Sequence, residues 1–576
     1  MTATADRLSY DVIVAGCGAA GMTAALTARR RGLSVLVIEK AEHFGGAAAR
    51  SPGSLWLPNN EVLRAAGTAD SPEGAQEYLA HVAGHGAPAG LRRARLHGGP
   101  AMVEFVRRHT PLSFTWSPEH SDCYPDAPGG APWGRSVGPA PLAAGVLGAE
   151  AERLAPAGPH SYPGVPLTQD DSRMVNLVTR HPLGFVRRCE VTVRHAAARL
   201  RGQRLLTMGQ ALAAGLREGL TSAGVPVWLN AALVGLRASG DRVTGVEVLR
   251  DGETASLTAS RGVVLACGGF EHNARMRQAL HRQPTNADWA AGPAENTGDG
   301  LLAAVRAGAA VDLMDDAWLA PVIPLAGEPR ICRSELATPG SVVVDAAGHR
   351  FVNEAAPHVD VGRAMYGPGA RSRSGPHTGP AAGPARNLPA WLIIDQRHRD
   401  RYPFGALRPR APFPGAWHTQ GVLRRASSLP DLAERIGIPA DALCATVDRV
   451  NRFAQDGVDA DFGRGANAHD RYYGDPRNQP NPCLGRISRP PFYAVRLVPG
   501  DFGVTGGLRI DAHARVLRED GTPIGGLYAA GDVATSPTGR AYPGPGAVLG
   551  SAMTFGHLAA LHLAAQEERS RDPVVT

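Results

Sequence analysis

Val12-Ile13-Val14-Ala15 is an uninterrupted apolar run set between Asp11 and Gly16. A run this short, bounded by turn residues, predicts a strand buried on both faces, as in a parallel sheet. Helical periodicity follows over 22–31. Val35-Leu36-Val37-Ile38 then predicts a second buried strand, ending on Glu39. Residues 61–205 are rich in Ala, Arg, Pro and Gly and predict helices joined by long loops. A helix is predicted over 208–223 and a strand over 225–229. A meander then runs through Val243-Thr244-Gly245-Val246-Glu247-Val248 to the apolar run Val263-Val264-Leu265-Ala266, which ends in Gly268-Gly269. Asn296-Thr297-Gly298-Asp299-Gly300 opens a further helix.

The pattern changes near residue 313. Strand-like runs stand at 341–345 and 390–395, with an amphipathic helix pair over 429–453. Between the two runs lies a Gly/Pro/Ser/Arg-rich stretch, 367–384, whose composition cannot build a core. It reads as a surface loop, equally a lid or a plain insert. From about 491 the strands are expected to rejoin the first sheet. The fold class is α/β: a discontinuous Rossmann-like dinucleotide-binding domain over 1–312 and 491–576, with an inserted α+β substrate domain over 313–490.

The first unit carries Gly16-Cys17-Gly18-Ala19-Ala20-Gly21 between its strand and its helix. Gly16 permits the tight turn, Gly18 lets backbone approach a pyrophosphate, and Gly21 lets the helix pack on the strand. The helix offers its free amides and positive dipole end to phosphate. Glu39 stands at the spacing that binds ribose hydroxyls. These features define a dinucleotide site without separating NAD from FAD.

Composition removes several classes of function. The 576 residues are 43% hydrophobic and 20% charged, which suits a soluble chain of two or three domains. No apolar run of ~18 residues is read, so no membrane span is expected. The first strand leaves no room for a leader, and a cytoplasmic location follows by default. The net charge of +7 is spread over scattered arginine pairs and triples, which argues against nucleic acid. Lys40 is the only lysine among 60 basic residues, so Schiff-base chemistry has no other candidate. Seven dispersed cysteines, with no Cys-x-x-Cys or clustered histidines, argue against a metal site and a disulfide framework.

A second segment, Gly526-Leu527-Tyr528-Ala529-Ala530-Gly531-Asp532, is followed by Tyr542-Pro543-Gly544-Pro545-Gly546. It resembles the segment that closes over a flavin. With Gly45-Gly46, Trp56-Leu57-Pro58, Asn296-Thr297-Gly298-Asp299, Arg350-Phe351-Val352-Asn353-Glu354, Gly362-Arg363-Ala364-Met365 and Gly506-Gly507-Leu508, the chain resembles the fumarate reductase/succinate dehydrogenase-like flavoproteins, and within them the 3-ketosteroid dehydrogenases. The resemblance implies non-covalent FAD, since no histidine stands in 44–54 to carry a covalent flavin. It implies a site between two domains, a small-molecule cyclic ketone as substrate, and an external electron acceptor such as a quinone or oxygen. The cofactor set it implies is Gly16, Gly18, Ala19, Ala20, Gly21, Glu39, Lys40, Gly45, Gly46, Ser51, Gly53, Gly268, Asp299, Gly531, Asp532, Gly546, Val548 and Leu549.

The chemistry implied is desaturation beside a carbonyl: a base takes the α-proton and flavin N5 takes the β-hydrogen as hydride. Donors on the carbonyl oxygen stabilise its enolate character, and these map to the Tyr542 hydroxyl and the Gly546 amide. Two positions depart from the family. Its catalytic tyrosine follows a proline where this chain has Pro357-His358. Its assisting tyrosine stands in a Tyr-Tyr pair where this chain has Cys123-Tyr124. Histidine is a competent base for an α-proton, and His358 is equally readable as a structural residue. Tyr124 is the next candidate. A fumarate-reductase-like ene reductase, with Arg363 and Arg540 as the arginines near the site, is the alternative activity.

Overall fold

The computed structural model describes residues 8–158, 165–367 and 385–571. Beyond Gly367, the stretch 367–384 lies outside the described residues.

Two sheets organise the chain. β1 (Ser9–Ala15) is central in an eight-stranded sheet, parallel to β2 (Val35–Ile38) on one side and to the strand Glu253–Leu265 on the other. Val12, Ile13 and Val14 are fully buried, which explains why this strand reads as a continuous apolar run. The strand Pro523–Ala529 pairs with Glu253–Leu265 through Val263 with Leu527 and Leu265 with Ala529. The distant segment thus enters the same sheet as β1. α1 (Ala19–Arg30) packs against the long helix Ala547–Arg571 and against Met208–Ser222.

The second sheet is six-stranded. It runs through Arg330–Ile331, Ala317–Ile323, Phe492–Val504, Ala390–Asp395 and Ser341–Val344, with Leu423–Ala426 also paired to Phe492–Val504. This corrects the expected boundary at 490. Phe492–Val504 does not rejoin the first sheet; it is the centre of the second, antiparallel to both Ala317–Ile323 and Ala390–Asp395. It is buried along nearly its whole length, and a strand buried on both faces carries the same apolar signal in either sheet. The chain crosses back only afterwards, where Gly507–Leu508 pairs with Val311–Asp312. The predicted helix pair is present as Leu429–Ile436 and Ala440–Asp456. Leu432, Leu443 and Val447 pack there on Val342, Val344 and Ile393.

One described helix departs from the expectation that no apolar stretch of membrane-spanning length occurs. Ala547–Gln566 is long and apolar enough to cross a bilayer, with a hydropathy of 1.4. It lies against α1 in the first domain, and Met553, Ala559, Ala560 and Leu563 are fully buried there, so its apolarity has a packing cause.

Candidate active site

The glycines of the first turn have three distinct surroundings. Gly16 has φ +111°, and a Cβ there would lie 2.2 Å from the Ala266 carbonyl oxygen. A Cβ on Gly21 would lie 1.9 Å from the Gly16 carbonyl oxygen, so any side chain would push α1 off β1. A Cβ on Gly18 would meet nothing within 4 Å. Open space therefore faces the N-terminus of α1, where Ala19 and Ala20 begin the helix and no side chain caps its amides. Glu39 accepts from the Cys17 amide (2.7 Å) and the Ala41 amide (3.0 Å), which pins its carboxylate beside the turn. Lys40 donates to Thr297 Oγ1 (2.7 Å) and pairs with Asp299, so these two members of the expected set neutralise each other.

The rest of the expected cofactor set gathers around this turn. The Gly45 amide bonds to the Cys17 carbonyl (2.9 Å), and Gly46 approaches Gly18. Gly268 is backed by Asn296, and Gly531 abuts Ala20. Ser51, Gly53, Asp532, Gly546, Val548 and Leu549 line one wall of a cavity of about 280 Å3. Burial, reinforced by Asp501, pushes Asp532 up to about 7; burial, reinforced by Asp532, pushes neighbouring Glu271 up to about 8. Ser54 Oγ and Glu271 Oε2 are buried without hydrogen-bond partners among the described residues. Uncapped amides, an open approach at Gly18 and unsatisfied polar atoms fit FAD, whose pyrophosphate and ribityl hydroxyls supply what they lack.

The same cavity is also lined by Tyr542, His358, Cys123, Arg333 and Tyr473. The Gly546 amide donates to the Tyr542 hydroxyl oxygen across 3.3 Å, which sets a backbone amide and a phenol side by side on the cavity wall. Gly546 has φ +91°, and a Cβ there would overlap the Ser54 carbonyl, so its amide is reachable only because it is glycine. The loop is held from behind. The Pro543 carbonyl accepts from the Tyr78 hydroxyl and the Cys123 amide, and the Pro545 carbonyl from Ser136 Oγ (2.8 Å). Trp56 packs under Gly544 and donates to buried Asp122 (2.6 Å), which is paired with Arg135.

Tyr542 is buried with its ring edge-on to Trp318 (5.6 Å between centroids), His358 (4.9 Å) and Phe502 (6.0 Å). Burial, partly offset by Arg333, pushes its phenol up to about 12, so it remains a donor throughout the neutral range. His358 is buried at the start of the helix His358–Ala364, after Pro357. That helix packs on the strand Ala317–Ile323, where Gly362 allows close approach to Ala320. His358 Nε2 lies 3.5 Å from the Arg333 guanidinium.

Three expected positions fall elsewhere. Tyr124 does not line the cavity; its hydroxyl donates to Asp360 (3.2 Å), while Cys123 takes the cavity side. Neighbouring residues in this segment face opposite ways, so only one of the pair reaches the site. Arg363 pairs with Asp316 (2.7 Å) and Arg540 with Asp315 (2.6 Å), and neither lines the cavity. Sequence reasoning missed Arg333 and Tyr473. The Tyr473 hydroxyl stands 3.5 Å from Arg333 and 3.4 Å from His120 Nε2. The available signal was the pair Tyr472-Tyr473, which lies far along the chain from Cys123-Tyr124.

A dinucleotide cradle opening into a cavity with paired donors and a facing histidine defines an FAD-dependent oxidoreductase. A family model described as an FAD binding domain matches residues 11–549, and the chain belongs to that family, as a 3-ketosteroid dehydrogenase-like member acting on CH–CH groups. It is 49% identical over 566 residues to a 3-oxosteroid 1-dehydrogenase of Mycobacterium tuberculosis, covering 97% of this chain and 98% of that protein. It is 38% identical to a 4-oxocyclohexanecarboxylate 2-dehydrogenase of Sinomonas cyclohexanicum, covering 97% and 94%. The crystal structure of a 3-ketosteroid delta1-dehydrogenase from Sterolibacterium denitrificans, in complex with 1,4-androstadiene-3,17-dione, matches with a TM-score of 0.90 at 41% identity, covering 97% of this chain and all of that one.

Proposed function

We propose that this protein oxidises a cyclic ketone to its α,β-unsaturated ketone, with Tyr542 and Gly546 holding the carbonyl oxygen and His358 receiving the α-proton. The Gly546 amide and the Tyr542 hydroxyl stand side by side, the first donating to the second at 3.3 Å, with the buried His358 ring 4.9 Å from the tyrosine ring; this cluster carries the reading. As the α-proton leaves, negative charge moves onto the carbonyl oxygen. Two donors held in place by the Tyr542–Gly546 loop then strengthen their bonds to that oxygen. When bound, FAD supplies the acceptor for the β-hydrogen as hydride. The balance is one proton to the histidine, one hydride to the cofactor, and one new C=C bond in the ring.

A 3-oxosteroid ring and a simple cyclohexanone present the same O=C–CH–CH unit, and the chain is similar to relatives named for each. Reduced cofactor is re-oxidised by an external acceptor, a quinone or oxygen. Seven unpaired cysteines support a reducing, cytoplasmic setting. Arg363 and Arg540, the arginines the sequence offered for a dicarboxylate, are neutralised by Asp316 and Asp315 and do not line the cavity, so the ene-reductase alternative loses its two expected clamps. The test is anaerobic: ketones should bleach the bound flavin. Enoates that re-oxidise reduced flavin, with no ketone able to bleach it, would favour the alternative.

A further inference from the structure

We propose that Arg333 is an anchor for a carboxylate carried by the substrate, so that the ring ketone this site is built for is an anionic one. The inference rests on the ketone-desaturase reading and narrows its substrate class.

Arg333 stands immediately before the short helix Ser334–Ala337 and lines the cavity that holds His358 and Tyr542. Its guanidinium is poorly satisfied. It reaches the Tyr473 hydroxyl and His358 Nε2, each at 3.5 Å, the outer limit of a hydrogen bond. Its Nε is buried with no partner. Among the described residues it forms no ion pair, whereas Arg350, Arg363 and Arg464 in the same domain are each paired with a carboxylate at 2.7 to 3.0 Å.

The nearby acids are committed elsewhere. Glu335 accepts from the Gly405 amide (2.7 Å) and from the backbone, not the side chain, of Arg333 (3.2 Å). Glu354 is held by Arg350 and Arg464, and Asp360 accepts from Tyr124. The surrounding histidines stay neutral and leave Arg333 as the cation among them: burial holds His469 down at about 4 and His120 well below its ordinary value, and Arg333 adds to both effects. On the His358 side the cavity therefore keeps a guanidinium with no carboxylate beside it among the described residues, as it does at Arg50 in the first domain, and a ligand carboxylate relieves that costly arrangement at Arg333 through two parallel N–H···O bonds.

Its position specifies where that carboxylate sits. Arg333 is on the His358 side of the cavity, so the anion belongs on the ring beyond the α-carbon. The 3.5 Å contact with Nε2 also links recognition to chemistry. A carboxylate that draws the guanidinium to itself uncovers the lone pair that must accept the α-proton.

The experiment uses the full-length flavoprotein and matched probes. Cyclohexanecarboxylate and cyclohexanecarboxamide are titrated calorimetrically. An oxocyclohexanecarboxylate, its methyl ester and a neutral 3-oxosteroid are compared in anaerobic flavin reduction. The carboxylate should bind about ten- to hundredfold tighter than the amide, the range for a hydrogen-bonded charge, and the acid should exceed its ester in kcat/KM by a similar factor. Arg333→Met should collapse both ratios to near one, and Arg333→Lys should restore part of each. Equal binding of acid and amide by the wild type, or an acid preference that survives Arg333→Met, overturns the proposal. Should Arg333→Met fail to hold flavin, the wild-type binding ratio and Arg333→Lys decide. If the carboxylate preference holds in binding while no ketone bleaches the flavin, the anchor stands and the desaturase reading falls.

Discussion

Replacing Tyr542 by phenylalanine removes one oxygen and leaves the ring's surroundings intact. The ring is fixed by edge contacts to Trp318, His358 and Phe502, none of which involves the hydroxyl. The one bond lost within the protein is the 3.3 Å bond accepted from the Gly546 amide, long for a hydrogen bond and costing about 1 kcal/mol or less of stability. The catalytic loss is larger, because the phenol donates to an oxygen that is only partly negative in the bound ketone and strongly so in the transition state. Removing one such donor costs about 3–4 kcal/mol, or roughly a hundred- to a thousandfold in kcat. Rapid mixing of oxidised enzyme with ketone, followed by flavin absorbance, measures this directly. KM should move by less than about threefold. A kcat for Tyr542→Phe within about threefold of wild type would refute the donor role and leave the tyrosine a packing residue.

Other outcomes follow from the same geometry. Gly18→Val should fold normally yet purify without flavin, because its side chain fills open space facing the α1 amides, whereas Gly21→Val should not yield folded protein; absorbance and circular dichroism separate the two. His358→Ala should abolish flavin reduction by ketone while FAD content and ligand affinity persist; reduction at the wild-type rate would place the base elsewhere. Glu271 and Asp532 are held up at about 8 and 7, so the folded protein keeps protons that the unfolded chain releases near pH 4. Stability of the apoprotein should therefore fall as pH rises from about 4 to 8. Glu271→Gln should flatten that slope in a urea titration series, and an unchanged slope would mean that Glu271 is ionised in the fold.

The first turn was fully legible because each glycine answers a separate steric demand, and the two ends of the chain were matched because both write the same pattern of strand, glycine and acid. Phe492–Val504 was misplaced because burial on both faces hides which sheet a strand joins. Arg333 carried no signal at all, and Tyr473 only the weak one of the Tyr472-Tyr473 pair, for a different reason. Each comes from a separate loop of the inserted domain, and no periodicity marks a side chain that reaches a cavity formed only in three dimensions. Arg363 and Arg540 looked available because a sequence does not display Asp315 and Asp316 as their partners. Tyr124 looked like a catalytic neighbour because adjacency along the chain says nothing about which of two residues turns inward.

The threading of the first sheet has a consequence for how the molecule is made. β1 leaves the ribosome early, yet its neighbour Glu253–Leu265, the strand Pro523–Ala529 and the helix that covers α1 arrive much later. At a synthesis rate of roughly 5–20 residues per second, the nucleotide half waits for roughly half a minute or more with its edges unpaired. The second sheet, drawn from the continuous stretch Ala317 to Val504, has all its strands first. The flavin cradle is therefore complete only after Pro523–Ala529 has been made, and a cell short of flavin would accumulate chains whose inserted half is folded and whose nucleotide cradle is unfilled.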